Sequence, residues 1–159
     1  EDFAGEKLGI AHTDAKMGPL SMNAGVFHFD ESQADNTIAL NIRYPQGTDP
    51  ETIKSILEKI DGVAIVSLSA HGHTPHYVPM DDELVSTLLR VYEKQTGLKG
   101  HEQVIGGGTF GRLLKRGVAF GAMFPDYVNT MHQANEFADV EDLYRAVAIY
   151  AEAIYELIK

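Results

Sequence analysis

The apolar residues of the N-terminal part follow the period of a β-strand. Residues 37–44 alternate apolar and more polar side chains, so a strand here would carry its apolar side chains on one face and turn Asn41 and Arg43 to the other. The run at 22–29 has the composition of a second strand and is joined to this segment by the polar connection 30–36. The two segments together predict a β-hairpin with one apolar and one polar face.

A helix with clear ends follows the predicted hairpin. Asp49 is a favourable N-cap, Pro50 suits the first turn, and Gly62 comes shortly after the last apolar residue. Residues 63–69 have the character of another strand. The order strand, strand, helix, strand predicts a small two-layer α+β unit. The apolar stripe of the helix consists of Ile53, Ile56, Leu57 and Ile60.

Helical spacing also predicts two longer helices in the C-terminal half. One begins near Leu84 and ends at Gly97, where glycine can adopt the left-handed C-cap conformation. The other is a long amphipathic helix over 140–158, with Asp139 as its N-cap. We expect this terminal helix to bury a stripe made of Val140, Leu143, Tyr144, Val147, Ala151, Ile154, Tyr155 and Ile158.

Shorter elements connect these helices, and a proline-rich tract precedes them. We predict a short strand at 102–105, a short helix at 109–115 and a buried strand at 118–123. The tract 74–79 is bracketed by prolines, which remove backbone donors and restrict the residues before them. The sequence therefore predicts a boundary that separates domain 1–75 from domain 76–159.

The composition narrows the functional classes. The chain has 23 acidic and 13 basic residues, a formal charge of −10 and no Lys/Arg cluster, so a polyanionic partner such as nucleic acid would be repelled. No apolar run approaches the roughly 20 residues that cross a bilayer, so no membrane association is expected. Cysteine is absent, which excludes thiolate metal sites and leaves histidines and carboxylates as strong ligands. We expect a cytoplasmic location.

Three consecutive glycines form the first candidate for ligand binding. Gly106, Gly107 and Gly108 allow the backbone to approach a ligand closely and to direct N–H groups at an anion, although a plain tight turn explains them equally well. The run matches neither the Walker nor the dinucleotide pattern. Thr109 could donate its hydroxyl to a carboxylate, but a helix cap is the simpler interpretation.

The other candidates are polar side chains with ordinary explanations of their own. Arg43 and Asn41 share the polar face of a strand, where Arg43 is either solvated or grips a substrate carboxylate with both arms of its guanidinium. His132 lies in the polar loop 131–137, where a lone histidine is more often a surface group than a metal ligand. The histidines at 71, 73 and 76 favour a solvated connector over a metal site.

Four motifs together resemble a known family more strongly than any one of them does. They are NIRYP at 41–45, GGGTFGR at 106–112, VAFG at 118–121 and MHQANE at 131–136. In this order and spacing the whole chain resembles the C-terminal part of dinuclear zinc dipeptidases of the aminoacylase/carboxypeptidase type. The resemblance implies that 1–75 is the later part of a two-layer lid and that 76–159 is the C-terminal segment of an α/β metallopeptidase catalytic domain.

The resemblance also implies roles for individual residues. His132 matches the C-terminal histidine that binds one of two zinc ions, which polarise the scissile carbonyl and activate a water molecule. The substrates would be small peptides, namely dipeptides. Substrate-binding roles are implied for Arg43, Asn41, Gly106, Gly107, Gly108 and Thr109.

The remaining catalytic groups of the family have no counterpart in this chain. The other zinc ligands and the general-base glutamate would come from an N-terminal catalytic segment upstream of Glu1, and one histidine cannot hold a catalytic zinc. We therefore expect a fragment that is inactive alone and could self-associate through uncovered apolar surface. Two alternatives stay open, a non-catalytic α+β binding or dimerisation module and a related acylamino-acid hydrolase.

Overall fold

The computed structural model describes residues 2–32, 36–64, 66–121 and 123–159. The chain forms two compact units. The first consists of the residues up to His76 together with Val104–Gly106, and the second consists of Tyr77–Gln103 and Gly107–Lys159. Within the described ranges, none of the helices combines the length and the hydropathy that a membrane crossing requires.

The first unit is built on two antiparallel hairpins. Strands β1 (Thr13–Asp14) and β2 (Gly18–Pro19) form the smaller one. Strands β3 (Ser21–His28) and β4 (Thr37–Arg43) form the larger one, with a bulge between Ala24 and Val26. The predicted hairpin is therefore confirmed, although residues 33–35 of its connection lie outside the described residues.

Helix α1 (Pro50–Leu57) packs with the hairpin around one apolar cluster. The Thr52 N–H donates to Asp49 Oδ1 at 2.8 Å, which confirms the predicted N-cap, and this backbone hydrogen bond lowers the pKa of Asp49. The buried members of the cluster are Ile10, Leu20, Ile53 and Leu57, and the partly buried ones include Met22, Leu40 and Ile42.

The strand predicted at 63–69 does not form. Of this segment the structure describes 63–64 and 66–69, which lie outside any strand, whereas Ile65 is outside the described residues. A segment becomes a strand only when a second strand pairs with its backbone, and the ladders in the described part join β1 to β2 and β3 to β4. Val66 instead packs against the cluster under the larger hairpin.

The second unit is a pair of packed helices. Helix α2 (Glu83–Thr96) begins after the N-cap Asp82 and ends at Gly97, whose φ of 71° is the left-handed conformation predicted there. Helix α3 (Val140–Ile158) begins after Asp139, whose side chain accepts the Glu141 N–H as the predicted cap. Between the helices lies a buried cluster of Leu88, Val91, Phe124, Ile149 and Ala153.

Polar contacts at the rim of this core fix the two helices against each other. Arg90 Nη2 lies 3.2 Å from Glu156 Oε2, and Glu152 accepts hydrogen bonds from Lys94 and Gln95. The bond from Lys94 lowers the pKa of the Glu152 carboxyl. These exposed pairs set the register of α2 against α3, while the apolar cluster supplies the main stabilisation.

The buried face of α3 is not the stripe predicted from the sequence. Ala146, Ile149 and Ala153 are the buried residues, whereas the large side chains of the predicted stripe are exposed, from 52% for Leu143 to 75% for Ile158. At 100° per residue the two sets lie on nearly opposite sides of the helix. The prediction was wrong because α3 has two apolar faces, and the face with smaller side chains allows the close approach of α2.

The short elements predicted between the helices also differ. Residues 102–105 form no strand, and the segment 109–115 contains only a 3₁₀ helix, Phe110–Leu113. In the segment 118–123 the described residues form no strand, and Ala122 lies outside them. Gly121 has a φ of 73°, which breaks the extended path, and Phe120 packs edge-on against Tyr150.

Asp82 provides a test of the polar structure at the start of α2. It caps the helix and binds Arg116 with both oxygens, at 2.7 and 3.0 Å, and the Arg116 hydrogen bonds lower the pKa of Asp82. Asp82→Asn keeps the cap acceptor but loses the charged pair, so we expect the thermal midpoint at pH 7 to fall by about 2–4 °C.

Because the folded-state pKa of Asp82 is lowered, its contribution is present above the unfolded-state pKa and is lost as the pH falls below about 4. The difference between wild type and variant should therefore shrink at pH 3 in a circular dichroism melt. Asp81→Asn, an adjacent exposed carboxylate, is the matched control. Equal shifts for both variants at pH 7 would contradict the prediction.

A pair of identical substitutions in α3 tests which face is buried. Ile149 is 2% exposed and Ile154 is 59% exposed. In the 159-residue chain we expect Ile149→Ala to lower the free energy of unfolding by about 2–4 kcal/mol, and Ile154→Ala by less than about 0.5 kcal/mol. Urea denaturation measures both, and the reverse order would restore the stripe predicted from the sequence.

Candidate functional site

The polar face of the larger hairpin gathers several hydrogen-bonding side chains. In the register of β3 and β4, Ser21 lies opposite Arg43 and Asn23 lies opposite Asn41. Met22 and Ile42 alternate with them and pack into the core beneath. The core contacts therefore direct Asn41 and Arg43 outward, as the alternation predicts.

A shallow pocket of about 280 Å³ opens on this face. Asn41 and Arg43 line it, together with three groups that sequence reasoning did not single out, Phe3, Ser21 and Asn23. Phe3 is held at the edge by its carbonyl, which accepts the Met22 N–H at 2.7 Å. Only the pairing of β3 with β4 could have revealed Asn23, because its neighbour Asn41 is distant in sequence.

Arg43 contacts the first residue of the triple-glycine run. Its Nη1 donates to the Gly106 carbonyl at 2.6 Å, and both residues belong to the first unit. A guanidinium has five N–H donors, so this bond anchors the side chain and leaves donors for a carboxylate. The structure thus brings together two of the residues predicted to bind substrate.

The remaining residues of the glycine loop belong to the second unit. Gly107 has open space where a side chain would project, whereas a Cβ on Gly108 would collide with the Arg112 guanidinium. A side chain at 108 would therefore displace the flexible Arg112 side chain. Thr109 precedes the 3₁₀ helix, but its side chain makes no capping hydrogen bond, so the cap interpretation was wrong.

His132 lies in a loop that is folded by its own hydrogen bonds. The backbone of His132 has a φ of 63°, which is uncommon for a residue with a side chain. Glu136 accepts the His132 N–H at 3.2 Å, and Thr130 Oγ1 accepts the Phe137 N–H at 3.2 Å. The imidazole is exposed, and such a strained position in a braced loop is typical of functional sites.

The described residues do not form a complete metal site. Among them, no three histidine or carboxylate side chains converge closely enough to hold a metal ion. A catalytic zinc requires at least three protein ligands and an open position. The exposed imidazole of His132 fits the donor chemistry of zinc, so this chain can contribute one ligand to a site that needs others.

Acidic side chains near the start of α3 form a second pocket, of about 260 Å³. Arg145 Nη1 lies 2.7 Å from Asp142 Oδ1 and 3.9 Å from Asp126 Oδ1, and its guanidinium covers the Phe124 ring at 3.7 Å. Arg145 thus pairs with two of the four carboxylates that line the pocket. The cluster is therefore a structural feature of the helix start.

Comparison with known proteins supports the family resemblance that the four motifs indicate. The model of peptidase family M20/M25/M40 matches residues 9–156. The chain is 53% identical over its full length to "Beta-Ala-Xaa dipeptidase" of Lactobacillus delbrueckii subsp. lactis, and 40% identical over 99% of its length to "Putative dipeptidase YtjP" of Bacillus subtilis (strain 168).

The match covers this chain far better than it covers the relatives. The chain spans 34% of the length of each of these two curated proteins. The family match includes both units and every candidate residue from Asn41 to His132. The chain therefore belongs to peptidase family M20/M25/M40.

Proposed function

We propose that this chain is the C-terminal part of a zinc-dependent dipeptidase, which hydrolyses the peptide bond of dipeptides through a metal-activated water. The observation that carries the proposal is the 53% identity over the full chain to a protein named as a dipeptidase. Because the chain spans 34% of that relative, we propose that it is inactive without an N-terminal catalytic segment. Its proposed location is the cytoplasm.

In this proposal the two halves have different tasks. Residues 1–75 form the later part of a lid, and 76–159 form the closing segment of the catalytic domain. The hairpin supports the first assignment, because its polar face carries Arg43 and Asn41 beside a pocket. The braced loop that presents His132 supports the second.

The proposed substrate contacts follow from the chemistry of the exposed groups. Arg43, anchored to the Gly106 carbonyl, binds the substrate's terminal carboxylate with its free donors. Asn41 adds an amide on the same face. Gly107, Gly108 and Thr109 contribute backbone N–H groups and a hydroxyl in a loop with little steric bulk.

His132 is the proposed ligand of one of two zinc ions. Zinc supplies Lewis acidity for the scissile carbonyl and a nucleophilic water at neutral pH. The task of this chain is to present the imidazole of His132 from a backbone held by the carboxylate of Glu136. The other ligands and the general base come from the absent segment in this proposal.

The uncovered face of α3 is the proposed contact for that segment. Its exposed side chains include Val147, Ile154 and Tyr155, each more than half accessible. A contiguous apolar patch of this kind marks an interaction surface. We propose that the N-terminal catalytic segment covers it in the whole enzyme and that the isolated chain self-associates through it.

The function is tested by zinc-dependent hydrolysis of dipeptides with the full-length protein. We expect His132→Ala to reduce kcat/KM by about 100-fold or more, because a lost ligand disrupts the metal site. His101→Ala, in another exposed loop, should keep wild-type activity.

Two outcomes would contradict the proposed function. Activity in the isolated 159-residue chain would show that the catalytic groups lie within it. Preference for N-acyl amino acids over dipeptides in the same assay would identify a different hydrolase of this family.

Ile154→Asp tests what covers the outer face of α3. In the full-length protein we expect a loss of about 10 °C in thermal midpoint, because a carboxylate would be buried in an apolar contact. In the isolated chain we expect an unchanged midpoint and reduced self-association, measured by light scattering after size exclusion. An unchanged midpoint in the full-length protein would exclude the proposed contact.

A further inference from the structure

The hairpin carries an amide whose position is as favourable as that of the residues already assigned to substrate. Asn23 on β3 lies directly opposite Asn41 on β4, and both side chains are exposed. Residues opposite each other in an antiparallel pair have Cβ atoms about 5 Å apart. The two amides therefore form a pair on the face that also carries Arg43.

The spacing between this pair and Arg43 suits a small peptide. Asn41 and Arg43 are two residues apart on one strand, which is about 7 Å. In a peptide, consecutive Cα atoms are about 3.8 Å apart. A terminal carboxylate and the nearest peptide group are therefore separated by about this distance or less. The remaining difference falls to the asparagine side chains, because the guanidinium of Arg43 is anchored to the Gly106 carbonyl.

The pocket offers two different kinds of contact to a substrate. Arg43 supplies a positive charge for a carboxylate, whereas an asparagine offers a donor and an acceptor, which match the C=O and N–H of a peptide group. Phe3 lines the same pocket and is 63% exposed, so its ring can cover an apolar substrate side chain.

We propose that Asn23 is a further substrate-binding residue, which acts with Asn41 on the peptide group of the dipeptide while Arg43 binds the carboxylate. This inference rests on the proposed function. A dipeptide has a single peptide group, which is the one that is hydrolysed, so this contact acts on the reacting group and its loss lowers kcat/KM.

The test uses the full-length protein and Asn23→Ala. We expect kcat/KM for dipeptides to fall about 10-fold, because a typical hydrogen bond to the reacting group is lost. Asn23→Asp has nearly the same shape but brings a negative charge near the substrate carboxylate, so its kcat/KM should fall further. Thr37→Ala, at the other end of the same hairpin, should leave kcat/KM unchanged.

A dipeptide with an amidated C-terminus distinguishes the two contacts. This substrate lacks the carboxylate, so it should bind the wild type more weakly, but Asn23→Ala should lower its kcat/KM by the same factor as for the free dipeptide. A penalty that disappears with the amidated substrate would mean that Asn23 acts on the carboxylate, and would overturn the assignment.

The outcomes also separate this inference from the proposed function. Hydrolysis by the wild type with unchanged kcat/KM in both Asn23 variants would overturn the inference alone. A full-length wild type that does not hydrolyse dipeptides in the presence of zinc would overturn the proposed function, and the inference with it.

Discussion

The contact on which the first unit depends is that of one face of a two-stranded sheet with helix α1. Met22, Leu40 and Ile42 pack against the cluster that contains Ile53 and Leu57. Because side chains alternate across a strand, this burial also determines which side chains face outward. A shift of one residue in the pairing of β3 and β4 would turn Arg43 into the core and expose Ile42. The apolar core therefore positions the polar groups above it.

The second unit depends on a helix pair that uses only part of its apolar surface. Ile149 and Ala153 meet Leu88 and Val91 of α2, and the rim carries ion pairs such as Arg90 with Glu156. The wider face of α3, with Leu143 and Ile158, remains accessible. A helix with apolar residues on two sides is typical of a layer enclosed between neighbours. This two-sided helix is consistent with the finding that the chain spans 34% of the length of the two curated relatives.

The sequence predicted local structure well where the signal is local. The caps at Asp49 and Asp139 and the left-handed Gly97 follow from the chemistry of single positions. The hairpin also followed from its alternation. The strands predicted at 63–69 and 118–123 do not form in the described residues, because a strand depends on a distant partner that local sequence does not reveal.

The residues of the candidate site could likewise be predicted only in part from the sequence. Motif order indicated Arg43, the glycines and His132, whereas the bond from Arg43 to Gly106 and the approach of Asn23 to Asn41 depend on tertiary pairing. The buried face of α3 was mispredicted because hydropathy ranks the larger side chains first, and close helix packing favours small ones such as Ala146 and Ala153. The assignment of domains to 1–75 and 76–159, and of substrate and metal roles, stays a prediction.

The return of Val104–Gly106 to the first unit has a consequence for the connectivity of the molecule. The chain passes from one unit to the other after His76, after Gln103 and again after Gly106. Cleavage of the chain at a single position therefore cannot separate the two units intact. A piece that ends at His76 would lack the Gly106 carbonyl that anchors Arg43, so the guanidinium would lose its fixed orientation although its own strand remained intact. The two units are thus interleaved in sequence, and the geometry at Arg43 depends on a segment reached only after α2 has been made.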